Sequence, residues 1–478
     1  MTAASTSSAG TPGGNALVPR EHDRRSQGRL PSWRIEAART TLWLVPTLLV
    51  LVSIGLFAAT IAFDHHAYSD RLTLPTWLRT GDADAGRQVV IAIAAAVITV
   101  VGVVFSITIL ALTLASQQFG PRMMRHFIRD VGSQVTLGVF VATFVYAVLV
   151  LASITSGPRG GFVPHLSITV AEALSLVDVG VLIYFIHHIA KMIQLPEVIA
   201  SIARDLHQAI VAEFPSRLDS TAARPDDEGR SLDALLEALE RSGGDVAATS
   251  SGYLQHVGYA QLVEIAAHND AVIRLTHRPG HFVVEGHPLA EVWPRTAAPQ
   301  VAAALDRAHA LGPHRTLLQD PVFAIDQLVE IAIRALSPAV NDTFTALTCI
   351  DWLSAGLSEL SQRSLTEGVY RDQLRRIRLI SWDPSYSRMV NRAFDKIRQC
   401  AGGMPAVLIR LLDAITAVTR ATVEPRQRQV LARQGEMILA VAEATVREPR
   451  DLADVRSRHE RLLAAITGMD DEPAAVPS

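Results

Sequence analysis

Four long apolar runs in the first two hundred residues, roughly Thr41–Phe63, Val89–Ser116, Val135–Ile154 and Ile168–Met192, decide most of what this chain can become. Each reaches or exceeds the ~20 residues that a helix needs to cross a hydrocarbon core. A bilayer offers no water to the backbone, and a helix satisfies its polar groups within the segment. The first run is too long for a signal-peptide core and lacks a small-residue cleavage site, so it is expected to remain as a helix. Of the 478 residues, 49% are hydrophobic and only 19% charged, which fits this reading. The net charge of -3 gives no electrostatic case for a nucleic-acid partner. Cys349 and Cys400 stand in no metal-ligand or CxxC spacing and exclude a disulfide framework.

Arginine distribution sets the expected orientation. Arg20, Arg24, Arg25, Arg29, Arg34 and Arg39 precede the first run; Arg122, Arg125 and Arg129 lie in the second connection, and Lys191 ends the fourth run. The first connection holds Arg71, Arg79 and Arg87, and the third only Arg159. The positive-inside rule then puts both termini in the cytoplasm. The stretch from Arg122 to Arg129 also has an apolar side (Met123, Phe127, Ile128). It reads as a short amphipathic helix that touches lipid headgroups or docks the rest of the chain.

Few polar residues interrupt the runs. Ser106 and Thr108 lie in the second, Asp178 near the middle of the fourth, and His187, beside His188, near its inner end. An ionisable group at mid-membrane is expensive and is normally tied to a polar partner or a wet cavity. Two readings stay open. In one, these four residues line a path, and four helices per chain would then need a homo-oligomer to enclose it. In the other, Asp178 is a hydrogen-bonded packing residue, the hydroxyls bond within or between helices, and His187 snorkels to the interface.

Beyond the membrane runs, Leu195–Phe214 reads as a helix continuing inward, and the polar stretch 219–230 as a linker. The short β-rich runs YLQHV, AVIRL, HFVVE and PLAEV, with a small helix over Ala260–Ala267, mark an α/β module within 246–320. From Pro321 to residue 468 the pattern is mainly helical. Ile325, Leu328, Val329, Ala332 and Leu336 form one apolar stripe; Ala346, Ile350, Leu353, Leu357 and Leu360 form a second. Arg376–Ile380 reads as a strand returning to the module. Helices are expected over Tyr386–Cys400, Pro405–Ala421, Gln427–Val446 and Asp451–Ile466, with Pro425 and Pro449 as punctuation. Composition predicts disordered tails over 1–38 and 469–478. The expected fold is a mainly α membrane protein: four transmembrane helices (39–193), a membrane-proximal helix and linker (194–245), a cytoplasmic α+β module and a helical C-terminal region.

Between the two stripes stands ALSPAVNDTFTA, residues 335–346. Ser337-Pro338 ends the first helix, and Asn341 or Asp342 caps the second. One cap accounts for one of that pair, which leaves a binding or interdomain role open for the other. Asn341-Asp342-Thr343 also fits the glycosylation pattern, which a cytoplasmic location argues against. No P-loop, complete GxGxxG, HExxH, GxSxG or EF-hand loop occurs, so no catalytic residue and no metal site is expected, nor an enzyme. RPGHFVVEGHPLAEV resembles the hairpin of lipoyl and biotinyl carrier domains. No lysine lies between Lys191 and Lys396 to be modified, so no cofactor is expected.

SQQFGPRMMRHFIRDVGSQVTLGVFVATFVYAVLVL, VPHLSITVAEAL with YFIHHIA, and RTLLQDPVFAIDQLVEIAIRALSPAVNDTFTA closely resemble a family of predicted bacterial membrane proteins, domain-of-unknown-function family 2254. The resemblance runs from about Trp43 to Ala465 and implies an N-terminal membrane region with a cytoplasmic C-terminal region. It brings no activity, substrate or catalytic residue. The family often has proline after the Asn-Asp pair, where this chain has Thr343, which marks the pair as a helix start. The expected function is channel- or transporter-like in a bacterial inner membrane, with a cytoplasmic regulatory region. The alternative is a membrane-anchored scaffold that binds a ligand or partner without transport. The expected partners are the lipid bilayer, further copies of the chain and an unidentified ion or small molecule.

Overall fold

The computed structural model describes residues 43–69, 83–119, 130–155, 162–214, 226–365, 368–381 and 385–468. The expected tails, and Arg122, Arg125 and Arg129, lie outside these residues. The first helices are α1 (Leu44–Ser69), α2 (Ala83–Phe119), α3 (Val131–Ser153) and α4 (His165–Met192), all four long and apolar enough to cross a membrane. The 37 residues of α2 cover about 55 Å against a hydrocarbon core of about 30 Å. Its end therefore reaches past the bilayer, and Leu112 packs on the extramembrane core. α3 is central and touches the other three. A Cβ on Gly138 would stand 3.0 Å from Pro46 Cα and 2.6 Å from Leu49 Cδ1, so glycine lets the α1 and α3 backbones approach. The outward faces are mainly apolar, with Leu48, Leu51, Val103, Leu176 and Ile183 exposed.

Two residues, Ile193 and Gln194, join α4 to α5 (Leu195–Glu213), whose first turn carries Pro196. After α6 (Asp226–Ser242) the chain builds two sheets from β1 (Gly244–Ala247), β2 (Gly252–Val257), α7 (Tyr259–His268), β3 (Val272–Leu275), β4 (Phe282–Val283), β5 (Pro288–Trp293), α8 (Ala298–Ala308) and β6 (His309–Gly312). There follow α9 (Pro321–Ala335), α10 (Thr343–Ser361), β7 (Val369–Arg371), β8 (Ile377–Ile380), α11 (Tyr386–Cys400), α12 (Pro405–Ala421), α13 (Pro425–Thr445) and α14 (Pro449–Thr467). α13 and α14 start two residues earlier than expected because Pro425 and Pro449 open the helices: a first-turn position needs no amide and suits proline's fixed φ.

One sheet has the order β1-β5-β3-β8-β7 and the other β4-β2-β6. The expected returning strand is β8, parallel to β3, so the larger sheet takes two strands from beyond residue 320. Buried Arg378 fastens it, donating to Asp372 Oδ2 at 2.9 Å, Asp270 Oδ1 at 2.8 Å and the Ala271 carbonyl at 3.1 Å. The carrier-like hairpin does not form. β4 pairs with β2 while β5 lies between β1 and β3, because the chain crosses from one sheet to the other at Gly286, whose φ is +78°.

The helical region is an up-and-down bundle with α5 built into it. Val198, Ile199, Ile202, Leu206 and Ile210 of α5 share one buried core with α9 to α14. α5, α10, α12 and α14 run away from the end at which the chain enters from α4; α9, α11 and α13 run back. Side-chain contacts fix these directions. At the far end, Arg363 donates to the Phe214 carbonyl at 3.1 Å, the Tyr386 and Ser361 hydroxyls meet at 2.8 Å, and Arg428 donates to the Ile466 carbonyl at 3.4 Å. At the entry end, the Gly403 amide donates to Thr445 Oγ1 at 2.9 Å. The turns after α9, α11 and α13 therefore sit at the entry end with Leu195, and the α/β module sits at the far end.

Cys349 is buried and Cys400 exposed. Burial, with Asp342 nearby, pushes the Cys349 thiol up to about 12. A thiolate reagent applied to the folded protein at neutral pH is expected to modify one cysteine per chain, and two after denaturation. Mass spectrometry would show the contrary pattern, Cys349 modified in the native protein, if α10 opened readily.

Candidate functional site

The polar residues expected within the membrane do not converge. Ser106 Oγ and Thr108 Oγ1 donate to the carbonyls one turn back, Gly102 and Val104, each at 2.8 Å, and Ser106 lies on the outward face. His187 is exposed. Asp178 is buried between helices, where Thr143 of α3 donates to Oδ1 at 3.2 Å; Oδ2 accepts no hydrogen bond among the described residues.

Two other acids tie α4 to α1 and to α3. Asp64, buried near the end of α1, accepts from the Leu166 amide at 2.9 Å, the Ser167 amide at 3.0 Å and Ser167 Oγ at 2.7 Å. The N-cap residue of α4, Pro164, supplies no side-chain acceptor, so a carboxylate from α1 caps α4 in its place and meets the positive end of its dipole. At the opposite end of the helices, Asp130 caps α3 by accepting from the Ser133 amide at 2.6 Å, and it also meets His188 Nε2 at 2.9 Å. Burial opposes its charge, but Ser133 and His188 hold its carboxyl below the ordinary value. A Cβ on Gly132 would stand 2.6 Å from His188 Nε2, so glycine is what lets the imidazole reach Asp130.

This second pair borders a cavity of about 270 Å³ at the joint between α4 and α5. Asp130, His188, Lys191, Glu197 and Arg204 line it. Two anionic and two cationic side chains beside an imidazole suit a small zwitterion or an anion; nothing there forms a nucleophile-base pair.

ALSPAVNDTFTA folds as a capped turn. Ser337 Oγ donates to the Arg334 carbonyl at 2.7 Å, and the Asp342 amide returns to the Ala335 carbonyl at 2.8 Å. Asp342 caps α10 through the Thr345 amide at 3.1 Å. Asn341 has φ +50°, a left-handed conformation that asparagine tolerates better than most residues. Capping thus accounts for the acid and backbone geometry for the amide, and Pro338 is exposed. Asp342→Ala is expected to cost about 1–2 kcal/mol of stability, whereas Asn341→Gly is expected to be near neutral because glycine readily adopts positive φ. Thermal melts of the two variants check this, and equal losses would contradict it.

A further polar cluster joins the α/β module to the bundle. Asp320 caps α9 through the Phe323 amide and takes Arg315 Nε and Nη2 at 2.9 and 2.7 Å. Asp326 binds Arg315 Nη1 at 2.8 Å and Arg392 Nη2 at 3.0 Å. Beside them Arg278 Nε donates to His281 Nε2 at 3.1 Å. Gly280, at φ +89°, has no room for a Cβ, which would stand 2.0 Å from Asp320 Oδ2. Burial, with Arg278, Arg388, His277 and Arg315 close by, pushes His281 down to about 4. A depressed histidine contributes stability that is present above its unfolded value, 6.5, and is lost as pH falls toward about 4. The thermal midpoint is expected to fall across that window, and less steeply in His281→Asn. Equal slopes in the two proteins would contradict this.

Sequence reasoning missed Asp64, Asp130 and the Arg315–Asp326–Arg392 cluster. Asp320-Pro321 ahead of an apolar stripe was a readable cap signal. Asp326 and Arg392 are 66 residues apart and carried none. Among the described residues, no group of three or more His, Cys, Asp or Glu could hold a metal ion.

A family model described as predicted membrane protein, DUF2254, matches residues 39–417. An uncharacterised protein of Mycobacterium tuberculosis strain H37Rv is 33% identical over 428 residues, 87% of this chain and 78% of the relative. An uncharacterised protein of Mycobacterium bovis matches to the same extent, 33% over 428 residues. No solved structure matches.

Proposed function

Because the chain belongs to the DUF2254 family of predicted membrane proteins, we propose that it acts as a membrane-anchored binding module. A small ligand or partner is received on the cytoplasmic side, and the α4–α5 joint carries that event to four helices in the inner membrane. Both termini lie in the cytoplasm, following the arginine asymmetry. The observation that carries this reading is the burial of α5 in the bundle core two residues after a membrane helix ends. Freeing α5 would expose five apolar side chains, each worth about 1.5–3 kcal/mol, so the bundle cannot shift without taking α5 along. The charged cavity lies at that joint, where an occupant would bear on both helices.

The test uses the full chain in nanodiscs and proteoliposomes. Thermal-shift screening against small anions and zwitterions is expected to give a stabilising class whose effect is lost in Arg204→Ala, with no ion flux above empty vesicles. Flux abolished by Asp178→Asn, without any stabilising ligand, would overturn the reading. Transport is the second reading, and the unpartnered Oδ2 of Asp178 favours it. It would require several copies to enclose a path.

A further inference from the structure

The turn after α9 leaves an apolar tip uncovered. Phe344, in the first turn of α10, is 82% exposed and Val340 54%; Pro338 and Ala339 are exposed beside them. The cap and the left-handed residue explain the polar half of this turn and leave the apolar half unexplained. Scattered surface hydrophobes need no explanation, but four within seven residues at one end of a bundle do.

Position narrows what covers them. Gly356 of α10 lies against Leu206 and Ile210 of α5, and the two helices run in the same direction. Phe344 is 12 residues before Gly356 and Leu195 is 11 before Leu206, about 18 and 17 Å at 1.5 Å per residue. Phe344 is therefore level with the first residue of α5, three residues after the last residue of membrane helix α4. The ends of α2 and α4 reach the same core through Leu112 and Met192. Exposed Arg447 and Arg450 flank the third turn at this end, where Glu448 between them caps α14, and exposed Lys191 closes α4.

We propose that the 338–344 turn is a membrane-contact site. Val340 and Phe344 enter the headgroup–acyl boundary, and the neighbouring cations meet lipid phosphates, which gives the bundle an attachment to the bilayer besides α4. This does not depend on the protein binding any ligand.

The test places a nitroxide on Phe344→Cys or Val340→Cys of the full chain, in a Cys400→Ser background that keeps buried Cys349. The protein sits in nanodiscs of phosphatidylethanolamine and phosphatidylglycerol. Leu374→Cys, 72% exposed in the β7–β8 turn at the far end, is the reference. Labels at 340 and 344 are expected to be several-fold more accessible to oxygen, and several-fold less to a water-soluble nickel chelate, than the label at 374. The Val340 label leaves Phe344 in place, so the result does not hang on one variant. Chelate access equal to that at 374 would overturn the proposal, as would spin–spin broadening that shows a second copy covering the tip.

Discussion

Asp326→Ala is expected to lower stability by about 2–3 kcal/mol, because it removes charged hydrogen bonds from a buried carboxylate, leaving Arg315 with Asp320 alone while half-exposed Arg392 turns to water. Asp326 is 7% exposed and receives Arg315 from the segment ahead of α9 and Arg392 from α11. Arg315 cannot turn away freely, since it is also bound to Asp320 and lies 4.9 Å over the Phe323 ring. Asp326→Asn keeps the shape and some of the hydrogen bonding, so its loss should be smaller. Glu443→Ala provides the contrast: its pair with Arg456 is half exposed, and its removal should cost about 0.5 kcal/mol. Chemical or thermal unfolding of the three variants in one detergent decides the matter. A loss at Asp326 no larger than at Glu443 would mean that the cluster does not hold the module to the bundle.

Asp64→Ala is the second large effect, confined to the membrane helices. It removes three hydrogen bonds at the start of α4 and leaves the Leu166 and Ser167 amides without an acceptor. Bonds between membrane helices are worth about 0.6–1.7 kcal/mol each, so the expected loss of three is about 2–5 kcal/mol. Asp64→Asn retains one acceptor oxygen and should lose roughly half as much. The readout is the fraction of protein that stays folded on heating in detergent. Asp178→Asn, at a site with a single Thr143 bond, should change it far less. An Asp64→Ala variant as stable as the parent would show that α4 does not depend on the α1 carboxylate.

Much of the helical frame is legible in the sequence, since long elements repeat their apolar spacing many times. α11 and α12 match their expected bounds residue for residue, and each membrane helix covers its apolar run but for at most three residues. What was not legible depends on distance in sequence or on short elements poor in strand-forming residues. β1 (GDVA) and β6 (HALG) carry almost no β-branched or aromatic residues, unlike β3 (VIRL) and β8 (IRLI) of the same length, so residue type did not mark them as strands. The carrier-like segment had the right turns for a hairpin, but strand partners are tertiary facts, and β4 found β2. Asp64 stands one residue past the first apolar run, where nothing local marks it; only the arrival of α4 beside α1 makes it a cap. The Asn341–Asp342 pair was half readable: the cap follows from residue type, while the left-handed turn needed the path of the chain.

The proposed coupling stands or falls on α5, and hydrogen–deuterium exchange on the full chain in nanodiscs reads it directly. Amides over Val198–Ile210 are expected to exchange as slowly as those of α10 and α12, because α5 opens only with the bundle. Exchange of α5 at linker-like rates, well ahead of α10, would contradict a rigid connection between the membrane helices and the bundle.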